Sequence, residues 1–295
     1  MRVRKFAAID IGSNAIRLLI NNVIEEKGKK TLFSKSELVR VPVRLGEDSF
    51  KSGKISDENS IRINKTMKAF LLLMEVNRVE KYMACATSAM REASNGLEII
   101  EQIEKESGIK IELIDGEREA EIIASTDLKQ LLQKDQSYLY IDVGGGSTEF
   151  TFFTEGNVSV SKSFELGTVR LLNNMVGEET WKKLEAWIKQ NVLNIPKISI
   201  IGSGGNINKL HKMSGRKEGE ALSYVWLNAQ YRFLESLSYE DRISELGLNP
   251  DRADVIIPAT RIFLSAAKWS GAKKIHVPKI GLSDGIIKTL YYSKK

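Results

Sequence analysis

The 295-residue sequence has little of several residue types on which common catalytic sites depend. Its single cysteine, Cys85, cannot form an internal disulfide, which is typical of a protein in a reducing compartment. Its two histidines, His211 and His276, argue against a histidine-based metal cluster and leave few candidates for the base of a Ser-His-Asp triad. Proline is scarce as well, with 5 residues, and no low-complexity linker interrupts the chain. We therefore expect any two domains to be joined tightly.

Long apolar runs are also missing. The longest stretches without a charged side chain, 198–208 and 221–231, have 11 residues each, whereas a membrane-spanning helix needs roughly 20 apolar residues. The N-terminus reaches Asp10 before any apolar stretch of the length of a signal peptide. We expect a cytoplasmic protein that does not enter the membrane.

The chain carries a formal net charge of +6 at pH 7. Basic proteins favour polyanionic partners such as nucleic acids, anionic lipid, nucleotides or inorganic phosphate chains. The lysines, however, occur in scattered pairs near acidic residues, a pattern typical of a solvated surface. The charge indicates only that an anionic substrate is not repelled.

A strand, a glycine-containing turn and a second strand occur twice, 132 residues apart when Asp10 is aligned with Asp142. The predicted strands are 6–11 and 16–20 in the first copy, and 138–143 and 149–153 in the second. Further predicted elements are helices over 57–74, 97–106 and 116–132 and strands over 82–87 and 109–114. This alternation predicts two α/β domains of related design.

Both turns combine glycine and hydroxyl residues with an acidic residue at the end of a strand. Glycines allow backbone N–H groups to approach an oxyanion closely, and hydroxyls add further donors. An acidic residue beside a phosphate would repel it unless a divalent cation or an attacking water lies between them. The turns therefore indicate phosphoryl chemistry with a hard cation such as Mg²⁺. The alternative is that both are ordinary β-hairpin turns, in which glycine is common.

The two turns, at residues 9–14 (IDIGSN) and 141–149 (IDVGGGSTE), resemble the phosphate loops of the exopolyphosphatase/guanosine pentaphosphate phosphatase (Ppx/GppA) family, within the actin-like ATPase superfamily. Further segments match the family in the same order along nearly the whole chain: 86–93 (ATSAMREA), 115–120 (DGEREA), 165–171 (ELGTVRL), 201–205 (IGSGG), 252–258 (RADVIIP) and 282–285 (LSDG).

The resemblance implies an α/β fold of two ribonuclease-H-like (actin-like ATPase) domains, with the active site in a cleft between them. The expected domains are 1–122 and 123–295, with a tail from about residue 282 that can pack back on the first. Longer members of the family carry an additional C-terminal helical region that helps to bind long polyphosphate. The length of this chain leaves no room for such a region, so basic surface would have to replace it or long-chain binding would be weaker.

The resemblance also implies roles for residues at matched positions. Glu119 would be the general base, and Asp142 and Glu149 would bind the metal or orient the attacking water. Asp10 would bind the cation directly or through water, or only fix its turn by accepting backbone hydrogen bonds. Arg17 is a weaker candidate for phosphate binding. The implied phosphate-binding residues are Gly12, Ser13, Asn14, Arg91, Gly144, Gly145, Gly146, Ser147 and Thr148.

The expected reaction is Mg²⁺-assisted hydrolysis that releases terminal orthophosphate from inorganic polyphosphate, with guanosine pentaphosphate as the alternative substrate. A superfamily small-molecule kinase and a non-catalytic alarmone sensor remain open, although the acidic residues favour catalysis. A homodimer is expected, without a nucleic-acid or membrane partner.

Overall fold

The apolar run near the N-terminus forms the central strand of a mixed sheet, because residues 6–11 are buried on both faces. The computed structural model describes residues 1–124, 126, 136–193 and 195–293. Within that part, five strands of the first half form a sheet in the order β3-β2-β1-β4-β5. Strands β1, β2 and β3 are antiparallel neighbours, whereas β1, β4 and β5 are parallel. These strands are β1 (Arg2–Ile11), β2 (Ile16–Glu25), β3 (Leu32–Val41), β4 (Lys81–Ala86) and β5 (Ile111–Leu113).

Helices cover this first sheet. The longest, at Asp57–Val76, begins where the Ser56 side chain accepts a hydrogen bond from the Asn59 N–H, and it buries Ile63, Met67 and Phe70 in the core. The helices are α1 (Leu45–Ser52), α2 (Asp57–Val76), α3 (Ser88–Glu92), α4 (Gly96–Ser107) and α5 (Gly116–Ala124). The helix predicted over 116–132 is therefore present to residue 124, and residues 125 and 127–132 lie outside the described part.

A second sheet repeats this design. In the described part of the second half, its order is β10-β11-β9-β6-β7-β8, with β6, β7 and β8 antiparallel and β6, β9 and β11 parallel. The strands are β6 (Ser137–Val143), β7 (Thr148–Thr154), β8 (Asn157–Phe164), β9 (Ile198–Ser203), β10 (Leu222–Ser223) and β11 (Lys274–His276). Both sheets share the arrangement of three antiparallel and two further parallel strands that defines the ribonuclease-H-like fold. The fold prediction is confirmed.

Helices of the second half bury a separate core that includes Phe150, Leu184, Ile207 and Phe263. They are α6 (Thr168–Leu172), α7 (Glu178–Val192), α8 (Gly205–Met213), α9 (Tyr224–Ser236), α10 (Tyr239–Ser244), α11 (Pro250–Ala253) and α12 (Ile256–Ser270). Within the described residues, no helix is both long and apolar enough to cross a membrane.

The C-terminal helix, α13 (Leu282–Tyr292), returns to the first sheet. Ile286 and Ile287 are buried there, and the Tyr291 hydroxyl lies 2.8 Å from Thr31 Oγ1 and donates to Glu25 Oε1 at 2.9 Å. The chain thus divides into unit 1 (Met1–Thr126 with Leu282–Lys295) and unit 2 (Asp127–Gly281). The expected bounds were 1–122 and 123–295, with a tail from about residue 282 that can pack back on the first domain. The structure has the boundary after Thr126, and α13 lies with unit 1.

Candidate active site

The first glycine turn, residues 12–15, joins β1 to β2. The Gly12 N–H donates to the Ala15 carbonyl at 3.2 Å, which closes the turn. Two backbone contacts from the start of α1 hold it: the Gly46 N–H donates to the Ser13 carbonyl at 2.8 Å, and the N–H of Arg44, the residue before the helix, donates to the Asn14 carbonyl at 3.1 Å. The turn is therefore fixed by main-chain hydrogen bonds.

Asp10 forms an ion pair at the end of β1. It is directly opposite Arg17 in the antiparallel ladder, and the Arg17 Nη1 atom lies 2.9 Å from Asp10 Oδ2. Burial raises the pKa of Asp10 above its ordinary value, and the positive charge and hydrogen bond of Arg17 oppose that shift. Arg17 thus occupies one oxygen of Asp10, and cation binding by Asp10 stays a prediction.

The end of β4 lies beside the first glycine turn. Ser88, the first residue of α3, has its hydroxyl 3.1 Å from that of Ser13, so α3 begins next to the turn. Arg91 lies one turn later on α3, where its exposed side chain donates from Nη1 to the Ile114 carbonyl at 2.6 Å. The structure thus brings Asp10, Ser13 and Arg91 to one edge of the first sheet.

Glu119 lies in the first turns of α5 and is half-buried. Asp115 caps this helix, since its Oδ1 accepts a hydrogen bond from the Arg118 N–H at 2.8 Å. Burial raises the pKa of the Cys85 thiol to about 12, and the negative charges of Glu112, Asp10 and Glu119 add to the shift. Glu119 therefore acts electrostatically on Cys85, which lies near the end of β4 and is paired with Asp10 in the sheet.

The second glycine turn, residues 144–147, joins β6 to β7. The Gly144 N–H donates to the Ser147 carbonyl at 3.0 Å, the counterpart of the hydrogen bond that closes the first turn. Thr148 is fully buried, and its hydroxyl donates to the Leu166 carbonyl. Both glycine turns thus have the same closure at the same end of their sheets.

Gly167 and the first residues of α6 contact the backbone of the second glycine turn. A Cβ at Gly167 would lie only 2.2 Å from the Gly145 carbonyl oxygen, so only glycine fits there. The Val169 N–H donates to that carbonyl at 2.8 Å, and Arg170 Nε donates to the Gly146 carbonyl at 2.8 Å. Neither Gly167 nor Arg170 was among the predicted site residues, although both lie in the matched segment 165–171.

Asp142 and Glu149 are directly opposite each other across β6 and β7, so both side chains project from the same face of the sheet. Asp142 is half-buried, whereas Glu149 is 2% exposed. Glu149 Oε1 accepts hydrogen bonds from Ser147 Oγ at 2.7 Å and from Ser163 Oγ at 3.0 Å. The two serine hydroxyls thus orient the Glu149 carboxylate.

A third glycine-containing loop follows β9. Gly204 has φ = 107°, and a Cβ there would lie 3.0 Å from the Val143 carbonyl and 3.5 Å from Asp142 Oδ1. Arg252 Nη1 donates to the Gly205 carbonyl at 2.6 Å, at the start of α8. The loop therefore limits the space beside Asp142.

The residues fit a divalent cation bound largely by substrate and water. Among the described residues, no group of three or more His, Cys, Asp or Glu side chains is placed to hold a metal ion. Mg²⁺ is commonly held by one or two carboxylates, with phosphate and water oxygens completing its shell. The hard oxygen donors of Asp142 and Glu149, opposite each other in the ladder, suit that mode.

A family model and individual relatives place the chain in the same family. The model of the Ppx/GppA phosphatase family matches residues 23–293. The chain is 32% identical to a bifunctional 3-dehydroquinate synthase/phosphatase of Fusobacterium nucleatum, aligned over 90% of this chain and 43% of that protein. It is 22% identical to exopolyphosphatase 1 of Mycobacterium tuberculosis, over 96% of this chain and 87% of that one. The chain thus spans less than half the length of the bifunctional relative.

A solved structure from a related protein has the same fold. An exopolyphosphatase from Cytophaga hutchinsonii is 25% identical and superimposes with a TM-score of 0.85, covering 99% of each chain.

Proposed function

Because the chain belongs to the Ppx/GppA phosphatase family, we propose that it hydrolyses the terminal phosphoanhydride bond of inorganic polyphosphate. The family prediction is confirmed over nearly the whole chain. The observation that carries the proposed reaction is the second glycine turn, where a backbone-braced loop lies beside the paired carboxylates of Asp142 and Glu149. A turn of this kind binds phosphate oxygens through N–H groups, and the carboxylates can bind a cation or orient a water.

In the proposed reaction, a water oxygen attacks the terminal phosphorus in line with the bridging oxygen. Glu119 accepts the proton of that water as general base. The bond from phosphorus to the bridging oxygen breaks, so orthophosphate and a chain one phosphate shorter leave. N–H groups of the turns stabilise the charge on the transferred phosphoryl oxygens. The Arg91 guanidinium binds phosphate oxygens of the bound substrate.

Asp142 and Glu149 are the residues that would hold a divalent cation, Mg²⁺ being the expected one. When bound, that cation would neutralise phosphate charge and thereby reduce the repulsion between the carboxylates and the substrate. Glu149 is already oriented by Ser147 and Ser163, so its carboxylate needs little reorganisation to act. The cytoplasmic location and the homodimer stay predictions.

The test is a phosphate-release assay with long polyphosphate, tripolyphosphate and guanosine pentaphosphate at equal concentrations of phosphate ends. We expect release from polyphosphate without any acceptor molecule; transfer that requires an acceptor would instead indicate a kinase. Faster release from guanosine pentaphosphate at equal ends would assign the alternative substrate.

The Glu119→Gln variant should lower kcat by about 10²–10⁴-fold, because it removes the base while it keeps the shape of the side chain. Substrate affinity should change little, which equilibrium binding of a non-hydrolysable polyphosphate analogue would check. Glu117→Gln, an exposed neighbour on the same helix, is the matched control and should retain activity. A Glu119→Gln enzyme that keeps more than about a tenth of kcat would contradict the assignment.

A further inference from the structure

Gly285 marks the point where α13 touches α5. A Cβ at Gly285 would lie 2.3 Å from the Ile122 carbonyl oxygen and 2.8 Å from Ile122 Cγ2. Glycine inside a helix is unfavourable relative to alanine, and its presence there is typical of a close packing contact. The two helices therefore meet through their backbones at this position.

The contact lies one helical turn from the proposed base. Glu119 and Ile122 are three residues apart on α5, and Ile122 and Ile123 are 1% and 2% exposed. On the other side, α13 is anchored to the first sheet by Ile286 and Ile287, which are 0% and 1% exposed. The distance between α5 and the first sheet therefore depends on how closely α5 approaches α13 at Gly285.

We propose that Gly285 is a positioning residue for Glu119: the missing Cβ lets α5 approach α13 closely enough to place the Glu119 carboxylate for catalysis. The inference rests on the proposed function, in which Glu119 is the general base. A methyl group at Gly285 would have to move about 1 Å away to reach ordinary contact with the carbonyl. A misplacement of that size in an active site can lower the rate by about 10²-fold.

Gly285→Ala is the test variant, and Gly96→Ala is its matched control. A Cβ at Gly96 would lie 2.1 Å from the Met90 carbonyl oxygen, so this substitution creates an equally short contact in the same unit. It displaces α3, however, which carries Arg91 rather than Glu119.

We expect Gly285→Ala to lower kcat by about 10²-fold with little change in KM. It should also shift the acidic limb of the kcat–pH profile, since that limb reports the pKa of the base in the enzyme–substrate complex. Gly96→Ala should instead raise KM through Arg91, with kcat within about threefold of the parent and the acidic limb unmoved.

Circular dichroism and the melting temperature establish that each variant is folded at the assay temperature. If Gly285→Ala does not fold, Ile122→Ala decides, because it loosens the same contact instead of overfilling it and should also lower kcat and shift the acidic limb. Folded variants that keep kcat and the acidic limb, or an equal kcat loss in Gly96→Ala, would overturn the proposal. An active Glu119→Gln enzyme would reject the base assignment itself, whereas an inactive one with a fully active Gly285→Ala would reject only the positioning role.

Discussion

The two glycine turns have the same register and closure but differ in the charge that faces the aspartate. In unit 1, Asp10 is opposite Arg17, and the two form an ion pair of 2.9 Å. In unit 2, the aligned pair is Asp142 and Glu149, both acidic. The first pair is close to neutral, whereas the second carries two negative charges when ionised.

This difference indicates a division of labour. Two like charges 4 Å apart repel by about 4 kcal/mol at an effective dielectric of 20, and a phosphate beside them adds to the repulsion. We therefore predict that the second turn needs a cation to bind phosphate, whereas the first does not.

The turns also differ in what supports them. Behind the second turn, Gly167 meets the backbone of Gly145, which cannot move independently of the loop. Behind the first turn, a Cβ at Gly46 would meet the Phe50 ring at 2.6 Å and Ser13 Cβ at 3.1 Å. A side chain can turn aside more readily than a backbone, so the second turn is expected to be the less tolerant.

Of the tests that compare the two turns, removing charge at the second turn should have the largest effect. Glu149→Gln should lower kcat by about 10²–10³-fold and raise the Mg²⁺ concentration needed for half-maximal rate, because one of two anionic cation ligands is lost. Asp142→Asn should act in the same direction. A Mg²⁺ titration after chelator treatment measures both.

Glu178→Gln, which removes an exposed carboxylate from α7, is the control for loss of negative charge in unit 2 and should match the parent. An unchanged Mg²⁺ requirement in both site variants, or full activity in excess chelator, would show that these carboxylates serve another purpose.

A smaller effect should separate the supports of the two turns. Gly167→Ala should lower kcat/KM by about 10²-fold, because the 2.2 Å contact forces the Gly145 backbone out of position. Gly46→Ala should cost less than about tenfold, since the Phe50 ring can adjust. Steady-state kinetics with tripolyphosphate compares them, and equal losses in two folded variants would refute the distinction between backbone and side-chain support.

Much of the fold could be predicted because its strongest signals are local. The strand-turn-strand pattern around Asp10 and Asp142 identified the start of each sheet, and helical periodicity found α2 and α4. The destination of α13 could not be fixed from its own residues. An apolar helical face indicates that a helix is buried but does not identify the sheet that covers it.

Candidate site residues could be named from the sequence where their chemical type forms a motif. Residues that matter through a contact with a distant part of the chain could not. The acids, glycines and hydroxyls of the turns form motifs, so their residues could be named in advance. The roles of Gly167 and Gly285 depend on carbonyl groups of Gly145 and Ile122, which are distant in sequence. Arg17 shows the intermediate case: it is a plausible phosphate ligand by type, but its cross-strand position gives it Asp10 as partner.

The smallest expected effect tests whether the first pair is an internal ion pair. Arg17→Gln should lower the free energy of unfolding by about 1–2 kcal/mol at neutral pH, because buried Asp10 loses its cationic partner. The figure is modest since Arg17 is 37% exposed and water screens part of the interaction. Arg4→Gln is the matched control: the carboxylate of its 2.9 Å pair, Glu80, is 41% exposed against 6% for Asp10. The loss should therefore be within about 0.5 kcal/mol.

The stability loss of Arg17→Gln should depend on pH in one direction. Burial raises the pKa of Asp10, and removing Arg17 raises it further, because Arg17 is what lowers it in the parent. A carboxyl whose pKa is higher in the folded state than in the unfolded chain favours folding at low pH, and this advantage disappears as the pH rises through the folded-state pKa. The deficit of Arg17→Gln should therefore be fully present above the raised folded-state pKa of Asp10 and shrink as the pH falls through that pKa.

Urea unfolding at neutral and acidic pH measures this trend. Adding Asp10→Asn to Arg17→Gln should restore part of the stability and abolish the pH dependence of the deficit, since no buried charge is then left. A deficit that grows on acidification, or a double variant no more stable than Arg17→Gln, would mean that Arg17 stabilises the turn by packing. The two turns would then differ in shape as well as in charge.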